Sequence, residues 1–204
     1  VMPFEHGRNL QSYIKSRGGR LSEELLRTVL TPLLDALRLI HSRDLLHLDI
    51  KPGNIHLRPG GSPLLLDFGA LHRRFEHGRA YGGQVITAGF SPIEQYEPSG
   101  YVGPWTDIYA LGATLRACIE GRPPLPAPQR YQKDTLRPAV TAFKKRYSQN
   151  LLRVIDWTME VDPLLRPQRV DEVLTGLAPD AVTVPMPICA APGRRMDGAP
   201  AGKG

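Results

Sequence analysis

The chain has 204 residues, with 26 Lys and Arg against 20 Asp and Glu, a formal net charge of +6; it is 41% hydrophobic and 23% charged. That length and composition supply the core of one medium domain, which excludes wholesale disorder. Cys118 and Cys189 are its only cysteines, too few for a disulfide scaffold, and no apolar run approaches the roughly 18 residues of a membrane span. A reducing, cytoplasmic setting without a membrane segment follows as an expectation. The opening Val1-Met2-Pro3-Phe4 lacks a secretory pattern, and a first residue other than Met reads as a fragment. The basic excess reads as a solvated surface and not as a nucleic-acid footprint.

Along the chain, a short helix is expected over about Leu10 to Arg17, stopped by Gly18-Gly19. The clearest helix runs from about Ser22 to Arg43. Ser22 is its N-cap, Glu23 and Glu24 meet the positive end of the helix dipole, and Leu25, Leu26, Val29, Leu30, Leu33, Leu34, Leu37 and Ile40 form one apolar face. Pro32 within it predicts a kink. Ile55 to Arg58 and Leu64 to Leu66 flank Pro59-Gly60-Gly61-Ser62-Pro63 and predict a β-hairpin. Residues 69–104 are Gly-rich and aperiodic, a loop long enough to imply function. Asp107 to Glu120 is apolar nearly all round, as a buried helix is. A Pro-rich connection over Arg122 to Gln129 precedes helices near Ala139 to Arg146, Asn150 to Val161 and Arg169 to Gly176. The predicted fold class is therefore mainly α with a small β-hairpin, spanning 1–177. Residues 178–204 hold six Ala, five Pro and four Gly without period, and read as a disordered tail.

The densest polar cluster is His47-Leu48-Asp49-Ile50-Lys51-Pro52-Gly53-Asn54, between an apolar helix and an apolar strand. Asp67 follows the second hairpin strand. Asn54 and Asp67 are hard oxygen donors suited to Mg²⁺ that also holds phosphates. Lys51 offers a point charge for a phosphate, and Asp49 can accept a proton from an attacking hydroxyl. Together they suggest metal-assisted phosphoryl transfer.

These residues resemble the bacterial branch of the eukaryotic-like (Hanks-type) Ser/Thr protein kinases. His47-x-Asp49-x-Lys51-Pro52-x-Asn54 is similar to their catalytic loop, and Asp67-Phe68-Gly69 to their Mg²⁺-binding motif. Ser91-Pro92-Ile93-Glu94 resembles the end of the activation segment, with Thr87 seven residues before Glu94 matching the substrate-docking Thr. Asp107 falls in the buried-helix motif, and Arg166 in the motif whose Arg pairs with Glu94. The resemblance implies ATP and Mg²⁺ as cofactors and a protein Ser or Thr hydroxyl as acceptor. It gives catalytic roles to Asp49, Lys51, Asn54 and Thr87, and structural ones to His47, Phe68, Gly69, Glu94, Asp107 and Arg166. Residues 1–10 look like the hinge between the two kinase lobes, with Met2 as gatekeeper and the backbone around Pro3 and Glu5 near adenine. His56 then falls on the floor under the base.

The resemblance covers the C-terminal lobe only. No Gly-rich phosphate loop, strand Lys or partner helix Glu occurs, so a missing N-terminal lobe becomes an expected partner. Its absence is expected to expose apolar surface around Met2, Leu10, His56 and Phe68. Leu48 replaces the family's Arg after the His. Two other readings stay open. A non-catalytic pseudokinase-like scaffold is favoured by the absent lobe and opposed by the retained Asp49, Lys51, Asn54 and Asp67. A small-molecule phosphotransferase of the aminoglycoside or choline kinase type shares the loop but lacks the Thr87-to-Glu94 segment and the Arg166 motif.

Overall fold

A computed structural model describes residues 5–68, 85–97 and 100–178, together with the backbone path of 72–73. The readings placed on Met2, Pro3, Gly69, most of the activation segment and the tail fall outside the described residues.

The elements run β1 (Arg8–Asn9), α1 (Leu10–Ser16), α2 (Glu23–His41), β2 (Leu45–Leu46), β3 (Ile55–Leu57), β4 (Pro63–Leu65), β5 (His72–Arg73), α3 (Pro104–Glu120), α4 (Ala127–Gln132), α5 (Ala139–Ala142), α6 (Gln149–Thr158) and α7 (Val170–Leu177). Short 3₁₀ turns cover Pro52–Asn54, Ile93–Gln95 and Pro163–Leu165. The order is mainly helical with a small antiparallel sheet, as expected.

Helix α2 begins where its chemistry dictates. The Ser22 hydroxyl accepts from the N–H of Leu25 at 3.3 Å, and Glu23 and Glu24 occupy the first turn. Its face Leu26, Val29, Leu30, Leu33, Leu34 and Leu37 is buried. Pro32 lies on the exposed face, and the helical assignment continues unbroken through it. Water can take up the carbonyl that Pro32 frees, so the residue is tolerated there.

Helix α3 is the axle of the molecule. Pro104 sits at its first turn, where no N–H is needed, and the run Thr106 to Ile119 is buried throughout. α6 packs along it, α7 packs on α6, and α2 lies against both α3 and α7. The α1–α2 loop is tied to α3 by the Leu21 N–H donating to the Cys118 carbonyl at 3.1 Å. Gly19 and Gly121 face each other there. A Cβ on Gly121 would lie 2.6 Å from the Gly19 carbonyl oxygen, so the crossing requires glycine. Burial pushes the Cys118 thiol up to about 12, which makes it a packing group and not a nucleophile.

The hairpin gains a strand that period-based reading missed. β1 pairs antiparallel with β3 (Asn9 opposite His56), and β3 with β4 (Ile55 opposite Leu65), in the order β1-β3-β4. A second ladder joins β2 to β5, with Leu46 opposite His72. Two-residue strands are too short to show an alternation. Helix α4 was also hidden, because Pro128 in its first turn reads as loop yet is harmless there. α5 is shorter than expected. The Asp156 carboxylate accepts the N–H groups of Ala139 (2.6 Å) and Val140 (3.0 Å), anchoring the helix start. Beyond Ala142 the chain turns, and Phe143 lies under the Arg116 guanidinium at 5.0 Å.

Candidate active site

The catalytic-loop candidates lie between the C-terminal end of α2 and β3. Their backbone is held from below by α3. The Asp107 carboxylate, fully buried, accepts from the N–H of His47 (2.9 Å) and of Leu48 (2.8 Å), and sits 2.8 Å from His41 Nε2. The Leu48 carbonyl accepts from Gln95 Nε2 at 2.9 Å. Leu48 therefore has both its backbone groups clamped, and it holds φ 60°, the left-handed region. A branched-chain residue there costs about 1–3 kcal/mol, so the clamp must over-determine it. The result is that Asp49 is turned inward.

Around Asp49 three other predicted residues meet. Lys51 Nζ donates to both Asp49 carboxylate oxygens, at 2.9 and 2.7 Å. Asn54 Nδ2 donates to the Asp49 carboxylate (2.8 Å) and to its carbonyl (2.9 Å). The Thr87 hydroxyl donates to Asp49 at 2.9 Å and lies 3.2 Å from Lys51 Nζ. Thr87 is itself placed by Ser91, whose hydroxyl accepts from the Thr87 N–H at 3.0 Å. Asp49 and Asn54 are buried, whereas Lys51 and Thr87 are half-buried. One face of the cluster thus meets solvent.

Asp67 reaches the same neighbourhood through the sheet. The Leu66 N–H donates to the Asn54 carbonyl at 2.8 Å, so Asp67 is the first residue past that rung. It is exposed, with φ 64°. Phe68 beside it is 47% exposed and meets the His47 ring edge-on at 5.2 Å. His47 is fully buried, with Nε2 3.1 Å from the Leu66 carbonyl oxygen. Among the described residues, no cluster of three His, Cys, Asp or Glu side chains forms an all-protein metal cage. The donor set nevertheless fits Mg²⁺. Asn54 has its amide nitrogen committed to Asp49, which leaves its amide oxygen free, and the Asp67 carboxylate carries no hydrogen bond among the described residues. One carboxylate and one neutral oxygen is the small protein contribution that Mg²⁺ takes when phosphates complete its shell.

At the N-terminal end of the described residues, Glu5 is exposed. His56 points away from the face that buries Ile55 and Leu57, and its Nε2 is buried with no partner among the described residues. It lies against Gly7, where φ is 142° and a Cβ would fall 2.6 Å from that nitrogen. Gly7 leaves room for that ring nitrogen, which a side chain at position 7 would not. Leu10, expected on an exposed rim, is instead 1% exposed because it opens α1 into the core. Trp105 is only half-buried and stacks on exposed Tyr101 at 5.6 Å.

Glu94 and Arg166 form a buried two-pronged pair, Nη1 to Oε1 at 2.7 Å and Nη2 to Oε2 at 3.1 Å. Arg166 also donates to the carbonyls of Glu160 (2.7 Å) and Val161 (2.9 Å) and lies over the Tyr109 ring. Thr106 donates to Glu94 at 3.0 Å. Every donor and acceptor is thereby met, as a buried pair requires. The positioning residues His41, Gln95, Ser91 and Thr106 escaped the sequence reading. Ser91, Gln95 and Thr106 stand within three residues of the motif residues Glu94 and Asp107, and that adjacency was the signal they gave.

Comparison with known proteins gives the family. The protein kinase domain model matches residues 1–175. Serine/threonine-protein kinase PknA of Nostoc sp. is 32% identical over 91% of this chain and 33% of its own length. Serine/threonine-protein kinase F of Synechocystis sp. is 32% identical over 92% of this chain and 39% of its own. The solved structure of PpkA-294 in its apo form superposes with a TM-score of 0.73 at 35% identity, over 86% of this chain and 61% of that one. The chain spans between a third and two-fifths of these two curated relatives. The family model spans the residues that hold Asp49 and Asp107, and the chain belongs to the protein kinase family, with bacterial Ser/Thr kinases among its relatives.

Proposed function

We propose that residues 1–177 are the C-terminal lobe of a Ser/Thr protein kinase, beginning at the hinge, and that 178–204 are a tail outside it. When a nucleotide-covering N-terminal lobe is supplied, the lobe transfers the γ-phosphate of ATP to Ser or Thr hydroxyls of proteins. The observation that carries this reading is the Thr87 hydroxyl shared by Asp49 and Lys51. An acceptor hydroxyl at the solvent side of that cluster meets the same two groups. Asp49 orients it and takes its proton as the oxygen bonds to phosphorus, while ADP departs. Lys51 neutralises charge on the phosphoryl oxygens. Asn54 and Asp67 would hold Mg²⁺, which supplies charge neutralisation of the phosphates when bound. Thr87 keeps Asp49 in place and borders the acceptor.

The buried Glu94–Arg166 pair supports the protein-kinase reading over the small-molecule phosphotransferase, since it fixes the segment that carries Thr87. The retained Asp49, Lys51, Asn54 and Asp67 support an enzyme over a scaffold. Among the described residues no helix is long and apolar enough to cross a membrane, and we place the chain in the cytoplasm, where ATP is made and a buried thiol such as Cys118 stays reduced.

The test is phosphate transfer from labelled ATP by an intact form carrying an N-terminal lobe. Peptides with Ser, Thr or Tyr and a panel of amino alcohols serve as acceptors. Label on Ser or Thr is expected. Label on Tyr or on the amino alcohols alone, or none anywhere, would sink the proposal.

A further inference from the structure

A second cleft lies at the far end of α2 from the catalytic loop. It has a volume of about 380 Å³ and is lined by Arg20, Leu21, Ser22, Glu23, Arg146 and Tyr147. That volume falls within the roughly 300–1,000 Å³ of ligand-binding sites. The two arginines come from separate segments, one before α2 and one after α5. Both are exposed, and among the described residues neither has a carboxylate within ion-pair distance. The single acid of the lining is already engaged. Glu23 accepts from the Ser148 N–H (2.7 Å) and hydroxyl (2.6 Å) and pairs with Arg27 at 2.8 Å. Lys144 and Lys145, both exposed, adjoin Arg146 in the chain and extend the positive field.

We propose that this cleft docks an acidic segment of a protein partner, through the guanidinium groups of Arg20 and Arg146. Planar guanidinium forks suit carboxylates, which they can hold by two parallel hydrogen bonds. A single-stranded nucleic acid would call for an exposed aromatic platform, but Tyr147 is buried, its hydroxyl donating to the Leu21 carbonyl at 2.8 Å. A membrane would call for an apolar anchor beside the basic groups, but Leu21 is buried too. Residues 179–204 leave the described fold nearby, where Asn150 Nδ2 donates to the Ala178 carbonyl at 2.7 Å. They carry Asp180 and Asp197 against Arg194, Arg195 and Lys203. A tail with more basic than acidic residues does not complement the cleft, so residues 179–204 are not its occupant.

On the proposed kinase reading, the natural occupant is a substrate protein. The 19 residues of α2 separate the cleft from the catalytic loop, about 28 Å at roughly 1.5 Å per residue. An extended chain covers that span with no fewer than about eight or nine residues. Substrates would thus carry their acidic segment at least that far from the accepting hydroxyl.

The direct test needs no catalysis. Fluorescence anisotropy on the whole 204-residue chain would follow a labelled twelve-residue Asp/Glu peptide, with an Asn/Gln peptide as control. The acidic peptide is expected to bind and to weaken as salt rises. Arg20→Glu with Arg146→Glu should cost at least about tenfold in affinity. Lys133→Glu with Arg137→Glu, an equal charge change outside the cleft lining, should cost less than about threefold. Unchanged binding in the first pair, equal loss in the second, or equal binding of the neutral peptide would overturn the proposal. So would displacement of the peptide by single-stranded DNA or phosphatidylserine vesicles at lower charge concentration than unlabelled acidic peptide. In an intact active form, an acidic segment twelve residues from the acceptor should lower KM and leave kcat unchanged. An inactive intact form would sink the kinase proposal alone, because the anisotropy result stands on its own.

Discussion

Lys51 is held within 3.2 Å of both Asp49 and Thr87, which makes it a positioned charge and not a swinging one. Its removal in an intact form, Lys51→Ala, should lower kcat on the order of 10²–10³-fold, as loss of other preorganised electrostatic groups does. A steady-state assay that found less than a threefold change would show that Lys51 does not meet the transferring phosphoryl group. Leu48 makes the opposite point. It is 3% exposed and clusters with Leu46 and Val102. An Arg there could pair with a phosphate; a leucine cannot. Between Asp67 and Thr87 the sequence has no Ser or Thr, and Tyr81 is its only hydroxyl. Activity of an intact form is therefore expected to survive phosphatase treatment. Loss of turnover traced to a modified residue within 70–86 would contradict this. Asp49, Lys51, Asn54 and Asp67 were legible as a group because their chemistry is rare in an apolar context. His41 and Gln95 were not, since their partners, the Asp107 carboxylate and the Leu48 carbonyl, lie 66 and 47 residues away and leave no local trace.

Two links between elements fix the fold around the site. The Glu94–Arg166 pair joins the Ile93–Gln95 turn to the segment before α7, both partners buried. Removing either, as in Arg166→Met, leaves a buried uncompensated charge and should destabilise by about 3–5 kcal/mol. Urea unfolding monitored by tryptophan fluorescence measures this directly, and a loss under about 1 kcal/mol would mean that the pair is solvated in solution. The second link ties the start of α2 to the N-cap of α6 through Glu23 and Ser148. Burial raises the Glu23 carboxyl, but bonds from the Ser148 hydroxyl and N–H and from Arg27 outweigh it and hold the group below its usual 4.5. A group with a lowered folded value contributes its stability above the unfolded value and loses it as pH falls through the folded one. The advantage of the native chain over Glu23→Gln should therefore be full at pH 7 and shrink below about pH 4.5. Urea midpoints that stayed equally far apart at pH 7 and pH 3.5 would rule out this titration. At this scale α2 and α3 could be read from the sequence, because an amphipathic or all-apolar run of 17–19 residues is its own signal. α4 could not, because six residues opened by prolines carry no period.

At the scale of the molecule, the catalytic cluster is an open floor. Phe68, Val85 and Ile86, all near it in sequence, are each more than 40% exposed. Under the proposed function a second lobe closes over them, and without it water screens the contacts of Lys51 and the metal ligands. The 204-residue chain alone is expected to bind Mg·ATP weakly and to transfer phosphate slowly or not at all. Titration calorimetry checks this, and micromolar affinity together with phosphorylation of a protein would show that the lobe works unaided. The sequence by itself determined the long helices, the hairpin β3–β4 and the list of residues able to do phosphoryl chemistry. Periodicity and rare polar groups are local properties that no tertiary contact is needed to read. Only the tertiary structure decided which of those residues meet. Asp107 reaches back 59 positions to clamp Leu48, Thr87 crosses to Asp49, and Gly19 and Gly121 allow two backbones to touch. Those contacts join segments far apart in the chain, and their geometry is set by how α2 and α3 cross, which no window of sequence contains.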